Sequence, residues 1–194
     1  TATSFYNERQ RVEIDLIKYL MTDEAYGIGK NGEIFDVTFG LYAEKELTAA
    51  DGMVIPADGL IEIISLDENG NGKVKTDLPI GSYYAKELAT NSAYILNGQK
   101  YPVAFEYAGQ ETAAVHITAN GGEAIENDII YGSVRGKKSD EDGNALGGAV
   151  IGIFKTGTEK FTTENAIQTT VTAADGSFSF EKVPYGTWVI REIE

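Results

Sequence analysis

Residues 12–18 read Val12-Glu13-Ile14-Asp15-Leu16-Ile17-Lys18, an alternation of apolar and polar positions that predicts a half-buried β-strand. Successive side chains on a strand point to opposite faces, so Val12, Ile14, Leu16 and Lys18 share one face and Glu13 and Asp15 face water. A lysine therefore completes the inward row, where an ammonium is costly unless it is paired or neutralised. Similar strand-like runs follow at 35–43, 60–66, 82–87, 101–107, 113–118 and 124–131. Between them, Asp67-Glu68-Asn69-Gly70-Asn71-Gly72 and Leu78-Pro79-Ile80-Gly81 are turn sequences, rich in residues that accept left-handed or pre-set backbone angles. Short strands at this spacing predict an all-β chain built as a β-sandwich.

The pattern recurs. Val37-Thr38-Phe39-Gly40-Leu41-Tyr42 matches Ala149-Val150-Ile151-Gly152-Ile153-Phe154. Leu78-Pro79-Ile80-Gly81-Ser82-Tyr83 through Glu87 matches Val183-Pro184-Tyr185-Gly186-Thr187-Trp188 through Glu192. Two copies are too few for a solenoid, so the chain reads as tandem domains. Residues 11–131 form the first and 132–194 the second. Asn7 precedes Lys18 by the same eleven residues that separate Asn127 from Lys138. That spacing marks a junction, with an Asn closing one domain and a Lys opening the next. On this reading residues 1–10 are the last strand of a preceding domain or a linker. The second domain has no counterpart to 94–127, so it is expected to be truncated and to lack its C-terminal strands.

Composition narrows the function. The 194 residues carry a net charge of −14, which disfavours nucleic acid and anionic membrane surfaces, since both need clustered Lys and Arg. There is no cysteine, which excludes disulfides and thiolate-bound metals. No run approaches the ~18 apolar residues of a membrane span.

Glu87 and Glu192 each end a strand on the face of buried-type neighbours, Tyr83 and Ala85 in one case, Trp188 and Ile190 in the other. The first domain thus aims three polar groups inward: Lys18, Glu87 and Asn127. Desolvation favours the neutral forms of an amine and of a carboxyl group. A neutral amine is a nucleophile that can attack a carboxamide carbon, while a carboxylic acid hydrogen-bonds the carbonyl and relays protons to departing ammonia. The product is a Lys–Asn isopeptide bond, with folding supplying proximity. An ordinary hydrogen-bonded cluster, or simple exposure, is the competing reading of the same three residues.

The second repeat carries Gly132-Ser133-Val134-Arg135-Gly136-Lys137-Lys138, then Asp175-Gly176-Ser177-Phe178, then Val183-Pro184-Tyr185-Gly186 through Glu192. In combination these motifs resemble the Cna B-type (SpaA-like) repeat domains of Gram-positive cell-wall-anchored surface adhesins and pilins. The first repeat is more divergent and has a longer segment after Lys18. The resemblance implies tandem Ig-like, prealbumin-like β-sandwiches. It also implies Lys18 and Asn127 as isopeptide partners, with Glu87 as the catalytic proton shuttle. Lys138 and Glu192 become an incomplete second site, with Lys137 the rival for Lys138 and parity with Val134 favouring Lys138. Asn7 would serve a domain upstream.

The function implied is a structural stalk or shaft module of a surface adhesin, crosslinked once by its own residues and not an enzyme with turnover. Its location would be extracellular and cell-wall anchored, with signal peptide and sorting signal outside this sequence. Neighbouring domains of the same polypeptide are its expected partners, with no cofactor, metal, nucleic acid or membrane insertion. A ligand-binding adhesive module or pilin subunit contacting a host protein or glycan is the alternative, and an accessory domain of an extracellular enzyme is a further one. Two weaker signals remain. Asp67-x-Asn69-x-Asn71-Gly72 opens like a calcium loop, but the twelfth position, where a bidentate Glu belongs, is Leu78. His116 has no second histidine to share a metal.

Overall fold

The computed structural model describes residues 9–49 and 51–193. The expected strand at 1–10 and Asn7 fall largely or wholly outside these residues. The described chain is almost entirely strand and turn, with two short 3-10 turns at Glu33–Asp36 and Ala119–Gly122. It divides into two units, one of residues 1–21 and 32–128, the other of 22–31 and 129–194. Residues 22–31 and 129–131, inside the sequence-based range 11–131, group with the second unit.

The first unit contains β1 (Arg11–Leu20), β2 (Thr38–Ala43), β3 (Leu47–Thr48), β4 (Val54–Ile55), β5 (Leu60–Ser65), β6 (Asn71–Lys73), β7 (Gly81–Ala89), β8 (Lys100–Phe105), β9 (Ala114–Thr118) and β10 (Ile125–Asn127). One sheet is centred on β1, which pairs antiparallel with β6 and parallel with both β9 and β10. The other runs β5-β2-β7-β8, antiparallel throughout, and β3 and β4 form a small separate hairpin. The alternation in β1 places Ile14, Leu16, Lys18 and Leu20 in the interior. Phe39 and Leu41 from β2 and Tyr83 and Ala85 from β7 are buried as well, and with Val103 and Phe105 of β8 they supply much of the apolar core.

Two expected strands are shorter than their hydrophobic patterns by three residues or more. The run from 35 begins as the 3-10 turn, leaving Phe35 exposed, and the strand starts only at Thr38. The run 124–131 breaks after Asn127, and Tyr131 opens the next strand instead. Strand-forming residues at an element's end yield to whichever backbone partner is available, so terminal assignments follow pairing rather than propensity.

The second unit contains β11 (Tyr131–Lys137), β12 (Val150–Lys155), β13 (Gln168–Val171), β14 (Ser177–Pro184) and β15 (Trp188–Glu192). β11 pairs with β14, and β12 lies between β13 and β15. Ile151, Ile153, Phe180 and Val183 form its buried apolar centre, joined by Tyr26.

A glycine fixes the path of each unit's first strand. Gly70 has φ of +80°, its carbonyl accepts the Lys18 amide at 2.8 Å, and a Cβ placed on it would lie 2.2 Å from the Lys18 carbonyl oxygen. Gly176 stands in the same relation to Lys138, with φ of +77°, a 2.9 Å hydrogen bond and a 2.3 Å approach. Gly52 shares the positive φ, +85°, but would meet nothing. Gly52→Ala should therefore cost about 1–2 kcal/mol for the left-handed backbone alone. Gly70→Ala should cost clearly more, because the clash is with backbone. Urea denaturation of both variants measures the difference.

Candidate functional site

The parallel pairing of β1 with β10 sets Lys18 opposite Ile125 and Leu20 opposite Asn127. Lys18 belongs to the inward row of β1, and Asn127 to the inward row of β10, whose Ile125 is also buried while Glu126 is exposed. Glu87 comes from the opposing sheet, on β7, paired across the ladder with Phe39. The structure thus brings Lys18, Glu87 and Asn127 together between the sheets, each at most 3% exposed.

Lys18 Nζ donates to Asn127 Oδ1 at 2.7 Å and to the Ile125 carbonyl at 2.9 Å, and lies 3.6 Å from Glu87 Oε1. Asn127 Nδ2 donates to both Glu87 oxygens, at 2.9 and 3.1 Å, and to Thr90 Oγ1 at 3.0 Å. Glu87 Oε2 also accepts the Asn97 amide at 2.6 Å. Among the described residues no buried side-chain polar atom lacks a partner. Burial pushes the Lys18 ammonium below the ordinary lysine value, with the nearby Glu87 opposing the shift. The arrangement holds an amine with a weakened hold on its proton against a carboxamide. A carboxyl group touches the nitrogen that would leave and lies near the nitrogen that would attack.

Sequence reasoning missed the supporting groups. The Ile125 carbonyl and the Asn97 amide are backbone atoms and carry no residue signature. Thr90 stands three residues after Glu87, beyond the repeated motif, and nothing in the pattern singles it out.

In the second unit, Lys138 Nζ lies 3.3 Å from Glu192, with the two side chains 31% and 51% exposed. Glu192 pairs across the ladder with Ile151 as Glu87 pairs with Phe39, and Lys138 meets Gly176 as Lys18 meets Gly70. Lys137 is turned outward, 3.6 Å from Asp175. The two pairs are therefore matched in register and differ in solvent access. No carboxamide is bonded to the second pair among the described residues.

The calcium-like sequence is a self-capped turn. Asp67 Oδ1 accepts the amides of Asn69 and Asn71 at 2.9 and 2.8 Å, and Oδ2 accepts Asn71 Nδ2 at 3.2 Å. Asp140 does the same for Asp142 and Asn144. His116 is exposed beside Glu13, and no metal-binding cluster occurs among the described residues.

A sequence family described as SpaA, prealbumin-like fold domain, matches residues 28–120 and 132–194. The chain belongs to that family. No curated protein sequence matches it. Among solved structures, the TIE protein of Bacillus anthracis is similar over 96% of this chain and 29% of its own, at 18% identity and a TM-score of 0.63. A C-terminal fragment of the pilus adhesin SpaC from Lactobacillus rhamnosus GG is similar over 96% of this chain and 76% of its own, at 14% identity and a TM-score of 0.50. These likenesses establish the fold. The chain spans less than a third of the TIE protein. The SpaA-type fold explains why both repeats share one frame: the lysine strand lies in one sheet and the glutamate strand in the other.

A buried amine stripped of its carboxyl partner is destabilising, whereas replacing both by apolar groups is close to neutral. Glu87→Leu should thus be less stable than Lys18→Met/Glu87→Leu by about 3–5 kcal/mol. The sign of its pH dependence follows from the lowered Lys18 value. The unfolded chain binds this proton first, so stability falls as pH drops from the ordinary value, ~10.4, to the depressed native one, and then levels. Urea titrations of both variants across pH test this. A flat profile for Glu87→Leu contradicts it.

Proposed function

We propose that this chain is a pair of structural modules from an extracellular bacterial surface protein, of the stalk or pilus-related kind, and that its first unit crosslinks itself. Membership of the SpaA prealbumin-like family supports the structural role. The buried contact of Lys18 with Asn127 and Glu87 carries the crosslinking reading. Wall anchoring, through segments outside this sequence, belongs to the same proposal.

The reaction needs no outside reagent. Lys18 Nζ, as the neutral amine, attacks Asn127 Cγ. The Glu87 carboxyl takes the proton released by the attacking nitrogen and delivers one to Nδ2. The C–Nδ2 bond breaks, ammonia leaves, and an amide joins Nζ to Cγ. Proximity is already provided by the 2.7 Å contact, so the step is effectively unimolecular. Water exclusion keeps the amine's proton affinity low and strengthens every hydrogen bond around the carboxamide.

The product ties residues 109 apart in sequence. By analogy with disulfides, a loop of that size lowers unfolded-state entropy by the equivalent of ~4–5 kcal/mol. Tension entering along β1 and leaving after β10 would cross the amide and bypass the sheet hydrogen bonds of residues 19–126. A module selected for length and strength, with no turnover, fits that outcome.

Intact mass spectrometry of the purified chain should give the sequence mass less one ammonia, and the full sequence mass for Glu87→Ala. Asn127→Asp should lose one water instead, because the leaving group changes while the acyl carbon does not. Lys138→Ala should leave the loss unchanged, since no carboxamide among the described residues is bonded to the second pair. An unshifted mass for the folded native chain overturns the proposal.

A further inference from the structure

Residues 22–31 follow β1 directly in sequence, yet they belong to the second unit. Their central residue, Tyr26, is 5% exposed and forms part of that unit's core with Ile151, Ile153, Phe180 and Val183; Ile28 and Trp188 pack against the same cluster. The Tyr26 ring meets Trp188 edge-on, with centroids 4.7 Å apart. Its hydroxyl accepts from Gln168 Nε2 at 2.9 Å. The Tyr131 hydroxyl donates to Asp23 Oδ2 at 2.9 Å.

The segment is also shaped for this seat. The Asp23 carbonyl accepts the amides of Gly27 and Ile28 at 2.8 and 3.0 Å, and Asp23 Oδ1 accepts the Tyr26 amide at 3.2 Å. One aspartate thus closes the turn with its backbone and one carboxylate oxygen and uses the other oxygen to hold Tyr131. At the start of the segment, the Met21 amide donates to the Asn127 carbonyl and the Met21 carbonyl accepts from Tyr94. After it, the Gly32 carbonyl accepts the Phe35 amide at the head of the 3-10 turn. A short loop fixed at both ends and closed on itself has little conformational freedom left to lose when its side chains are buried.

We propose that residues 22–31 are a built-in peptide ligand of the second unit. On this view the seat beside Trp188, Gln168 and Phe180 is a recognition site for a tight turn of the form Asp-x-x-Tyr-x-Ile. The second unit then reaches its full stability only with a segment encoded within the first unit's sequence. Tethering keeps the seat filled without any requirement for concentration. The chemistry fits a tyrosine: an apolar slot accepts the ring, the rim offers an amide donor to the hydroxyl, and the Trp188 ring meets it in a T-shaped contact. The proposal does not depend on the crosslink.

Trp188 is the sole tryptophan, so its emission reports on the second unit alone. In the full chain, Tyr26→Ala should lower the denaturant midpoint of Trp188 emission. It should also raise amide hydrogen exchange in β12 and β14 by about tenfold or more, with β2 and β7 keeping their protection. Tyr26→Phe, which keeps the ring and loses only the Gln168 bond, should fall between Tyr26→Ala and the native chain. A second unit that is unfolded in Tyr26→Ala beside a protected first unit supports the proposal. Unchanged exchange in β12 and β14, or equal loss in both units, overturns it.

Discussion

The fold of the first unit turns on one constraint: a lysine amine is buried, and its neighbours must satisfy it. Lys18, Glu87 and Asn127 come from three strands in two sheets, and none of the three reaches water to a useful extent. Slipping β1 by a single residue would send the whole row from Ile14 to Leu20 to the outer face. Slipping β10 would carry Asn127 away from Glu87 and Lys18 and break the buried hydrogen bonds between them. The cluster therefore fixes the strand register as firmly as the apolar side chains do, and the close approach of Gly70 to the Lys18 carbonyl holds the strand in place behind it.

The second unit shows what the same frame does without enclosure. Lys138 and Glu192 stand in matched register and approach within 3.3 Å, but both are open to solvent. An ion pair in water contributes little, because screening and side-chain entropy offset the attraction. The chemistry available to Lys18 thus comes from the surroundings more than from the residue. Burial loosens the proton on its amine, the carboxamide completes the hydrogen bonding, and the opposing sheet excludes water. Lys138 has its carboxylate partner but lacks the enclosure and, among the described residues, a carboxamide.

Much of this was legible in the sequence. Period-two alternation placed Lys18 on the inward face, parity did the same for Glu87, and the internal repeat nominated Lys138 and Glu192 as counterparts. These signals are local: each depends on residues within one strand or on copies of one motif. What the sequence concealed was non-local. Gln168 and Tyr26 are 142 positions apart, and no periodicity links them. Phe35 looked like the start of a strand because its residue type favours one, yet the chain there turns through a 3-10 segment and leaves the ring exposed. The Asp67 turn resembled a metal loop because both uses need an aspartate and short polar residues. Only the hydrogen bonds reveal that its carboxylate is taken up by the turn's own amides and the Asn71 side chain.

The position of residues 22–31 relative to Lys18 and Asn127 gives the proposed amide a second consequence. A bond between those residues would enclose 19–126, and the segment that completes the second unit's core lies inside that span. Tension carried by the amide would then leave the segment out of the load path. Its anchor at Met21 is a hydrogen bond to the Asn127 carbonyl, the backbone of the residue that would form the bond. A covalent tie at Asn127 would hold that carbonyl in place when neighbouring sheet hydrogen bonds yield. One reaction in the first unit would thus strengthen that unit directly and also preserve the tether that keeps Tyr26 in the second unit's core. This coupling needs no conformational switch, only the order in which the chain visits its two cores.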